Sequence, residues 1–410
     1  MGGVQFGMSE TQHNGGGDGG ARADIAQAAA AAIERASGEL TGVRALVGFD
    51  GFLDEIIRVV STRRSMADDD FEAIATIPEF AARCGAAAGK SANIELSVRE
   101  QRFGGNGPLM AGGVARLGMP TTYCGAIGRS ADEPGVVHPL WQDFAARCER
   151  VIPVGPPAHT DALEFDDGKI MLGKPRAVQD VTWELLKRTI GLEEIRRLIE
   201  RSTLVGIVNW TLCGGVEGIW HGLIDEVFPA LKPLVGGRTR RVFIDLSDPA
   251  KRTDEDIARA VGVLRKMDAL VPVTLGLNLS EAERLAHVLG VAAFGDEHNT
   301  SLARAVRDGA AAIREASGLS CVVVHPRQGA GAATATEREW FEGPFTRSPR
   351  LSTGAGDHFN AGFAFAQSLN LPLSQCLAVG VGVSGAYVRD AASPDLARLQ
   401  GVLRDLPVPE

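Results

Sequence analysis

The sequence has few of the cysteine and histidine patterns that point to a metal centre or a disulfide framework. Its six cysteines are scattered without a CxxC pair, and its eight histidines show no HExxH spacing. We therefore expect reduced, mostly buried thiols in a cytosolic protein. A P-loop is missing as well, because the run from Gly85 to Ser91 is one residue too short and follows a predicted helix instead of a strand.

Long apolar runs and an excess of positive charge are also absent. No apolar run approaches the roughly 18 residues that a transmembrane helix needs, and the N-terminus has no basic region followed by an apolar stretch. The formal net charge of −9 argues against a general surface for nucleic acid or anionic membranes. The 45% apolar and 23% charged residues are typical of a soluble globular protein, so we expect a cytoplasmic protein with neither partner.

Strand and helix patterns alternate along most of the 410 residues. Within residues 1–40, a glycine-rich tail is predicted to be disordered to about residue 20, and an alanine-rich helix follows to about Ser37. Residues 41–400 are predicted to form one α/β domain with helices on both faces of a mainly parallel sheet. The predicted strands are Arg44–Phe49, Thr121–Ile127, Leu204–Trp210, Val242–Leu246, Ala269–Val273 and Cys321–Val324, with helices near 109–117, 184–200, 217–231, 255–267, 281–289 and 301–316.

Two segments are predicted to lie outside that sheet because apolar and polar residues alternate in them. One is Ser91–Arg99, and the other is Ala162–Leu172, which surrounds the strong hairpin signal Asp167-Gly168. Half-exposed strands at about 91–103 and 160–173 would form a small β-lid over a cleft.

The segment Leu351–Phe363 is the most informative for chemistry. Three small residues, Gly354, Ala355 and Gly356, precede an aspartate at the start of an apolar-faced helix. Glycines allow a close backbone approach, and the free N–H groups of a helix N-terminus suit the negative charge of a phosphate. Asp357, at the edge of this site, could take a proton from an attacking hydroxyl. This combination is what phosphoryl transfer to an alcohol requires.

A second glycine-rich turn lies upstream, in Phe103–Pro108, after the first predicted lid strand. Pro108 suits the first turn of a helix, and Gly118 is placed to end it. The turn offers further backbone N–H groups, and the side chain of Asn106 is available to a polar ligand.

Together, the two motifs resemble the signatures of the ribokinase-like (PfkB) family of carbohydrate kinases. The upstream match runs over Gly104–Ala111 and Ala115–Gly118 to Gly128, and the downstream match over Ser352–Asp357 and Ala361–Phe363. The resemblance covers about residues 41–390. It implies a three-layer α/β/α sandwich with a β-lid, and a kinase that uses ATP and Mg²⁺.

The resemblance also assigns roles at the site of phosphoryl transfer. Asp357 matches the family's catalytic base. Gly354, Ala355 and Gly356 match the anion hole that holds the transferred phosphate, where loss of one donor typically costs on the order of 10²–10³ in rate.

On the substrate side, Asp54 matches the family's sugar-binding aspartate, and Asp50 is the competing choice. A carboxylate that accepts hydrogen bonds from two neighbouring hydroxyls is a suitable sugar anchor. Gly104, Gly105 and Asn106 match the substrate-side turn.

On the nucleotide side, Asn278 and Glu281 match the family's Asn-x-x-Glu element, which organises Mg²⁺, water and phosphates. Glu281 would reach the metal through water. Gly329 matches a glycine of the nucleotide-binding turn, and Gly356 would also contact the nucleotide.

Four residues depart from the family pattern. One is Leu279, which replaces the common Glu of the Asn-Glu-x-Glu form. Leu109 stands where asparagine is usual. Leu351 stands where an Asp, Asn or Ser is usual, in a region that holds a monovalent cation in related kinases. Pro326 occupies the place of the first glycine in the nucleotide-binding turn.

The sequence therefore predicts transfer of the γ-phosphate of ATP to a hydroxyl of a sugar or polyol. A nucleoside kinase of the same fold is an alternative, and a non-catalytic metabolite-binding regulatory protein is another. A homodimer that pairs through the lid is also expected from the resemblance.

Overall fold

The computed structural model describes residues 18–294 and 301–410, so most of the tail predicted to be disordered lies outside the described residues. The strands are β1 (Ala45–Phe49), β2 (Phe52–Arg63), β3 (Phe71–Ala73), β4 (Leu96–Gly104), β5 (Thr121–Gly125), β6 (Arg150–Pro153), β7 (Ala158–Phe165), β8 (Gly168–Lys174), β9 (Leu204–Val208), β10 (Arg241–Asp245), β11 (Val273–Leu277), β12 (Cys321–Val324), β13 (Gly329–Ala333) and β14 (Arg338–Glu342). The α-helices are α1 (Asp18–Ala36), α2 (Ile77–Gly85), α3 (Asn106–Arg116), α4 (Gln142–Arg147), α5 (Arg176–Gln179), α6 (Trp183–Ile190), α7 (Leu192–Glu200), α8 (Val216–Gly222), α9 (Asp254–Asp268), α10 (Leu279–Val288), α11 (Leu302–Ser317), α12 (Ala355–Ser368), α13 (Leu373–Asp390) and α14 (Leu396–Arg404).

Nine strands form the main sheet, in the order β14-β13-β12-β11-β10-β9-β1-β5-β6. The strands from β12 to β6 are parallel, and β13 and β14 complete the sheet antiparallel. Strands β1, β5, β9 and β11 are buried along their whole length, because helices cover both faces of the sheet. Their short, nearly continuous apolar runs are typical of strands in such a position.

Each face of the sheet has its own hydrophobic core. Helices α6 to α11 pack on one face, around Trp220, Ile257 and Val306. Helices α1, α3, α12, α13 and α14 pack on the other, around Met110 and Phe363. The predicted three-layer α/β/α architecture is therefore confirmed.

The lid is a second, five-stranded sheet built around β2. Strand β2 pairs antiparallel with β4 and parallel with β7. Strands β7 and β8 form a hairpin in which Phe165 faces Gly168, where the sequence indicates a turn. Only Asp50 and Gly51 separate β1 from β2, so the main sheet continues directly into the lid.

Several predicted boundaries differ from the structure. The strand expected at 269–273 begins only at Val273, because the apolar run before it completes the end of α9, where Val271 N–H donates to Met267 O. The helix expected at 184–200 is interrupted at Gly191, whose φ of 87° is outside the helical region. Strand β2 was not predicted, because a register shift between Ile56 and Ile57 breaks its alternation of apolar and polar residues.

Candidate active site

Polar side chains collect at the carboxyl-terminal edge of the main sheet. Asp50 follows β1, Asn209 follows β9, Asp245 ends β10 and Asn278 follows β11. Because these strands are parallel, their carboxyl ends meet at one edge of the sheet, which is where ligands bind in open α/β folds. The first turn of α12 brings Asp357 to the same edge.

Asp357, the predicted general base, is buried and only 8% exposed. Its Oδ1 accepts a hydrogen bond of 2.9 Å from Asn106 Nδ2, so the structure joins the two sequence motifs directly. Burial raises the pKa of Asp357 well above its ordinary value, and the nearby charge of Asp245 adds to the effect. A carboxylate with a raised pKa is a stronger base once it is ionised, as proton removal from a hydroxyl requires.

The loop before α12, the predicted anion hole, is held in place by two aromatic side chains. Gly354 has a φ of 87°, which favours glycine. Tyr387 Oη donates to the carbonyl of Thr353 at 2.7 Å. His358 Nδ1 lies 2.7 Å from the carbonyl of Gly354, and its ring stacks on Tyr387 with centroids 3.7 Å apart. The loop backbone is thus fixed by two buried rings.

The His358 ring has a defined tautomer. Because the Gly354 carbonyl can only accept, Nδ1 must carry the proton, and Nε2 then accepts from Ser393 Oγ at 2.7 Å. Burial lowers the pKa of His358 to about 4, so the ring is neutral near pH 7. Sequence reasoning missed this residue, since a histidine beside an aspartate gives no signal of which groups it will meet.

Asp50 is fully buried, and its hydrogen bonds link the ends of β1 and β9 to the start of α3. Its oxygens accept from the backbone N–H groups of Asn106 at 3.0 Å and Gly107 at 2.8 Å, and from Asn209 Nδ2 at 2.7 Å. Burial raises its pKa to about 6. Since Asp50 has no exposed surface and Asp54 is partly exposed, Asp50 is the less suitable of the two aspartates predicted to bind sugar.

Asp54 lies on β2 in the lid and is partly exposed. It faces Gly104 so closely that a Cβ at that glycine would lie 2.3 Å from Asp54 Oδ2. Burial raises the pKa of Asp54, and a hydrogen bond from Thr160 opposes the shift. Gly105, with a φ of 108°, turns the chain from β4 into α3. Leu109, which replaces the usual asparagine, lies against Gly354 instead of presenting a polar group.

A pair of acidic side chains, Glu281 and Asp245, lies near Asp357. Glu281 Oε1 and Oε2 each accept a 2.8 Å bond, from the backbone N–H groups of Asp248 and Asn278. Burial, followed by the charge of Asp245, raises the pKa of Glu281 to about 7. Asp245 is buried too and accepts from Asn360 Nδ2 at 2.6 Å. Sequence reasoning missed Asp245, although an acidic residue within the otherwise apolar predicted strand Val242–Leu246 is a usable signal.

These carboxylates suit Mg²⁺, which prefers oxygen ligands. Two buried acids that repel each other, with an unpartnered Oδ1 of Asn360 beside them, would be relieved by a cation. Within residues 18–294 and 301–410, no three His, Cys, Asp or Glu side chains converge as a metal cage. An ion here would therefore be held partly through water, as is usual for Mg²⁺.

A cleft of about 550 Å³ opens beside the start of α12. Gly329 and Gly356, both predicted to bind nucleotide, line it together with Asn278. The cleft is partly apolar, and the guanidinium of Arg327 lies over the ring of Phe345 at 5.6 Å. Its wall includes Asn278, His325, Pro326, Arg327, Gly329, Gly343, Pro344, Phe345, Thr346, Pro349, Ser352, Ala355, Gly356, Phe359, Val381, Ser384, Gly385 and Val388.

The fold is the ribokinase-like fold. A ribokinase from Arabidopsis thaliana, solved in complex with ribose and ATP, superposes with a TM-score of 0.59 at 15% identity, over 89% of this chain and 99% of that one. A ribokinase from Thermotoga maritima gives a TM-score of 0.57 at 16% identity, over 88% and 99%.

Sequence comparison narrows the class. A family model described as prokaryotic ketohexokinase matches residues 22–406. A ketohexokinase from Haloferax volcanii is 30% identical over 363 residues, which cover 88% of this chain and 90% of the relative. The chain therefore belongs to the prokaryotic ketohexokinase family, which consists of ribokinase-type, ATP-dependent carbohydrate kinases. Among the described helices, none combines the length and hydropathy needed to cross a membrane.

Proposed function

We propose that the protein transfers the γ-phosphate of ATP to a hydroxyl of a ketohexose such as fructose. The observation that carries the proposal is the position of Asp357. It is a buried carboxylate in the first turn of a 14-residue helix, directly after the Gly354–Gly356 turn. A base and an anion-binding turn are therefore joined in one rigid element, as transfer to an alcohol requires.

The sugar would lie between the lid and the edge of the main sheet. Asp54 and Asn106 are the polar groups that would bind its hydroxyls, and the bond from Asn106 to Asp357 would orient the base toward the accepting oxygen. Asp357 would take the hydroxyl proton as that oxygen attacks the γ-phosphorus, and the bond from phosphorus to the β-phosphate oxygen would break. The N–H groups at the start of α12 would stabilise the charge on the transferred phosphoryl group.

ATP would occupy the cleft beside α12, with its phosphates toward Gly356. Asp245 and Glu281 would hold Mg²⁺, which when bound neutralises charge on the phosphates and orients them. The four buried acids of this edge, Asp50, Asp245, Glu281 and Asp357, repel a polyphosphate. Arg327, a cationic side chain in the cleft wall, is therefore assigned to the phosphates as well.

An acceptor screen tests the proposal. Purified protein with ATP and Mg²⁺ would be supplied in turn with fructose, fructose phosphates, ribose, ketodeoxygluconate, adenosine and inosine, and ADP formation would be measured. We expect turnover with fructose and none in the Asp357→Asn variant. Turnover with adenosine or inosine alone would replace the proposal with a nucleoside kinase, and tight sugar binding without any ATP consumption would favour a regulatory protein.

A further inference from the structure

A second cavity lies at the opposite edge of the main sheet from the candidate active site. Its volume is about 380 Å³, within the range of roughly 300–1,000 Å³ that is usual for small-molecule sites. It is enclosed by the first residues of β10 and β12, the turn between β13 and β14, the end of α12 and the start of α13. Its wall includes two arginines, Arg241 and Arg314, two acids, Asp268 and Glu337, and the residues Gln367 and Leu373.

Arg241 is the most informative residue of this cavity. It begins β10 and is only partly exposed, and its Nε is buried without a hydrogen-bond partner. Among the described residues, its guanidinium forms no ion pair. A cation that is partly removed from water without a counter-charge is costly. A ligand that carries negative charge would remove that cost.

A second arginine faces the same cavity. Arg314 donates from Nε to the carbonyl of Leu319 at 2.9 Å, which orients its guanidinium and leaves both terminal nitrogens without a partner in the described chain. Two guanidinium groups on one cavity suit a group with several acceptor oxygens, because each can donate two parallel hydrogen bonds.

The acids in the cavity wall do not neutralise these arginines. Asp268 accepts from Val273 N–H, from Ser320 N–H and from Ser320 Oγ at 2.7, 2.8 and 3.0 Å. The Asp268 oxygens thus fix the backbone at the starts of β11 and β12. Glu337 is at the hairpin turn, and in the described chain neither acid forms an ion pair with Arg241 or Arg314.

The start of α13 adds to the positive field. This helix has 18 residues, and Pro372 at its N-cap offers no side-chain acceptor to the first N–H groups. Leu373, its first residue, lines the cavity. Free N–H groups at a helix N-terminus favour phosphate in particular, since they and the helix dipole act on the same oxygen atoms.

We propose that this cavity binds a phosphate group, either as free phosphate or as part of a phosphorylated metabolite. Arg241 and Arg314 would each donate to its oxygens, and the N–H groups of α13 would complete the site. The cavity has room for more than the phosphate alone, so a small phosphorylated molecule fits better than the free ion.

The cavity touches the far ends of elements that carry the candidate active site. Arg241 begins the strand that Asp245 ends, and Gln367 lies at the opposite end of α12 from Asp357. Helix α13 begins at the cavity and later supplies Tyr387, which holds the loop of the anion hole. A ligand bound in this cavity would restrict the motion of β10, α12 and α13 without touching the candidate active site. Because these elements also carry that site, we expect the ligand to change kcat.

Calorimetric titration of the full chain tests the site. Inorganic phosphate and a hexose phosphate are the probes, and a non-hydrolysable ATP analogue with Mg²⁺ and sugar is present at saturation to fill the active site, including its anion hole. We expect Arg241→Gln and Arg314→Gln each to weaken phosphate binding at least tenfold, while Arg188→Gln, which removes an exposed arginine from α6, leaves it unchanged. Arg241→Lys, which keeps the charge and loses the planar fork, should be intermediate.

Comparison of the two probes shows whether the cavity binds free phosphate or a phosphorylated metabolite. Hexose phosphate binding tighter than inorganic phosphate by tenfold or more identifies a metabolite site, and equal binding identifies a site for the free ion. Equal affinity in wild type and Arg314→Gln, or binding that disappears when the active site is filled, would overturn the proposal. Citrate binding more tightly than either probe would also overturn it, since the site would then be selective for carboxylates.

Discussion

Asp357 is the residue on which most of the proposed chemistry depends, and its environment sets how it works. We expect Asp357→Asn to lower kcat by about 10²–10⁴-fold, the usual contribution of a general base, while ATP binds with nearly unchanged affinity. The substitution keeps the shape of the side chain and its place beside Asn106. Steady-state kinetics and an equilibrium nucleotide titration check both parts, with the exposed Asp225→Asn as control. Near-normal turnover would refute the assignment of the base.

Substitution of Arg327 tests whether this cationic side chain binds the phosphates of ATP. Because charged hydrogen bonds contribute about 1.5–3 kcal/mol, we expect Arg327→Ala to raise the KM for ATP by roughly tenfold to a hundredfold and to leave the KM for sugar unchanged. Arg338→Ala, at an arginine that lies 3.9 Å from Asp308, is the control. An equal loss of affinity for adenosine and ATP would show that Arg327 contacts the base and not the phosphates.

At this scale, the sequence predicted the residues that belong to contiguous motifs. Roles for Asp357, Asn106 and Glu281 could be predicted because glycine-rich turns and helix starts surround them. The role of Tyr387 could not, because its bond to the Thr353 carbonyl exists only in the folded chain. Asp245 offered only the signal of an acid within an apolar strand, and its partner Asn360 is brought to it by the fold.

Helix α12 and the loop before it act as one element in which backbone conformation matters as much as side chains. In Gly354→Ala, the new Cβ would lie 3.0 Å from Leu109 Cδ1 and 3.1 Å from Tyr387 Oη, at a φ of 87°. We expect a loss of about 1–3 kcal/mol in the free energy of unfolding and a marked fall in kcat. Gly401→Ala, in α14 with open space around its Cβ, should instead gain about 0.5–1 kcal/mol. Chemical denaturation and kinetics distinguish the two, and full activity in Gly354→Ala would contradict the role of the loop.

Elements with uniform patterns were predicted well, and irregular ones were not. The buried parallel strands are short apolar runs, and their positions agree with the structure to within a few residues at β1, β5, β9, β10 and β12. Strand β2 has a bulge, and β13 consists of glycine and alanine alone, so neither has a recognisable alternation. Their pairing depends on neighbours distant in the sequence.

The stability of the whole molecule should depend on pH, and the stabilisation by Mg²⁺ should depend on pH as well. The pKa values of Asp50, about 6, and Glu281, about 7, lie above those of the unfolded chain, so the folded state binds more protons. Stability from these groups is therefore highest at low pH and falls as pH rises from about 4 to 7. Because Mg²⁺ binds the ionised carboxylate, its stabilising effect should grow over the same range. Thermal unfolding with and without Mg²⁺ at pH 5.5 and 8 measures this, and an equal shift at both would argue against Glu281 as a metal-site residue.

The lid carries an apolar surface that suits the expected homodimer. Leu96, Val98, Met171 and Leu172 are 41–51% exposed and lie on β4 and β8. Large apolar side chains exposed on the strands of one sheet can mark an interaction surface. We expect the wild-type protein to sediment as a dimer and Val98→Asp with Leu172→Asp to sediment as a folded monomer. If the wild-type protein sediments as a monomer, the proposed dimer is wrong.

The direct passage from β1 into β2 has a consequence for how such enzymes diversify. The chain enters the lid through Asp50 and Gly51 and returns through Gly104 and Gly105, and Ala158 N–H donates to Gly51 O at the third crossing, at 2.8 Å. A Cβ on Gly51 would lie 2.0 Å from the carbonyl of Ala126, so the crossing tolerates no bulk. The lid therefore cannot be replaced by the lid of a relative as an independent unit. A chimera that took its lid from a relative would have to carry Asp50, Asn106 and Asn209 with it, because Asp50 bonds to Asn209 and to the backbone of Asn106, and Asn106 in turn donates to Asp357.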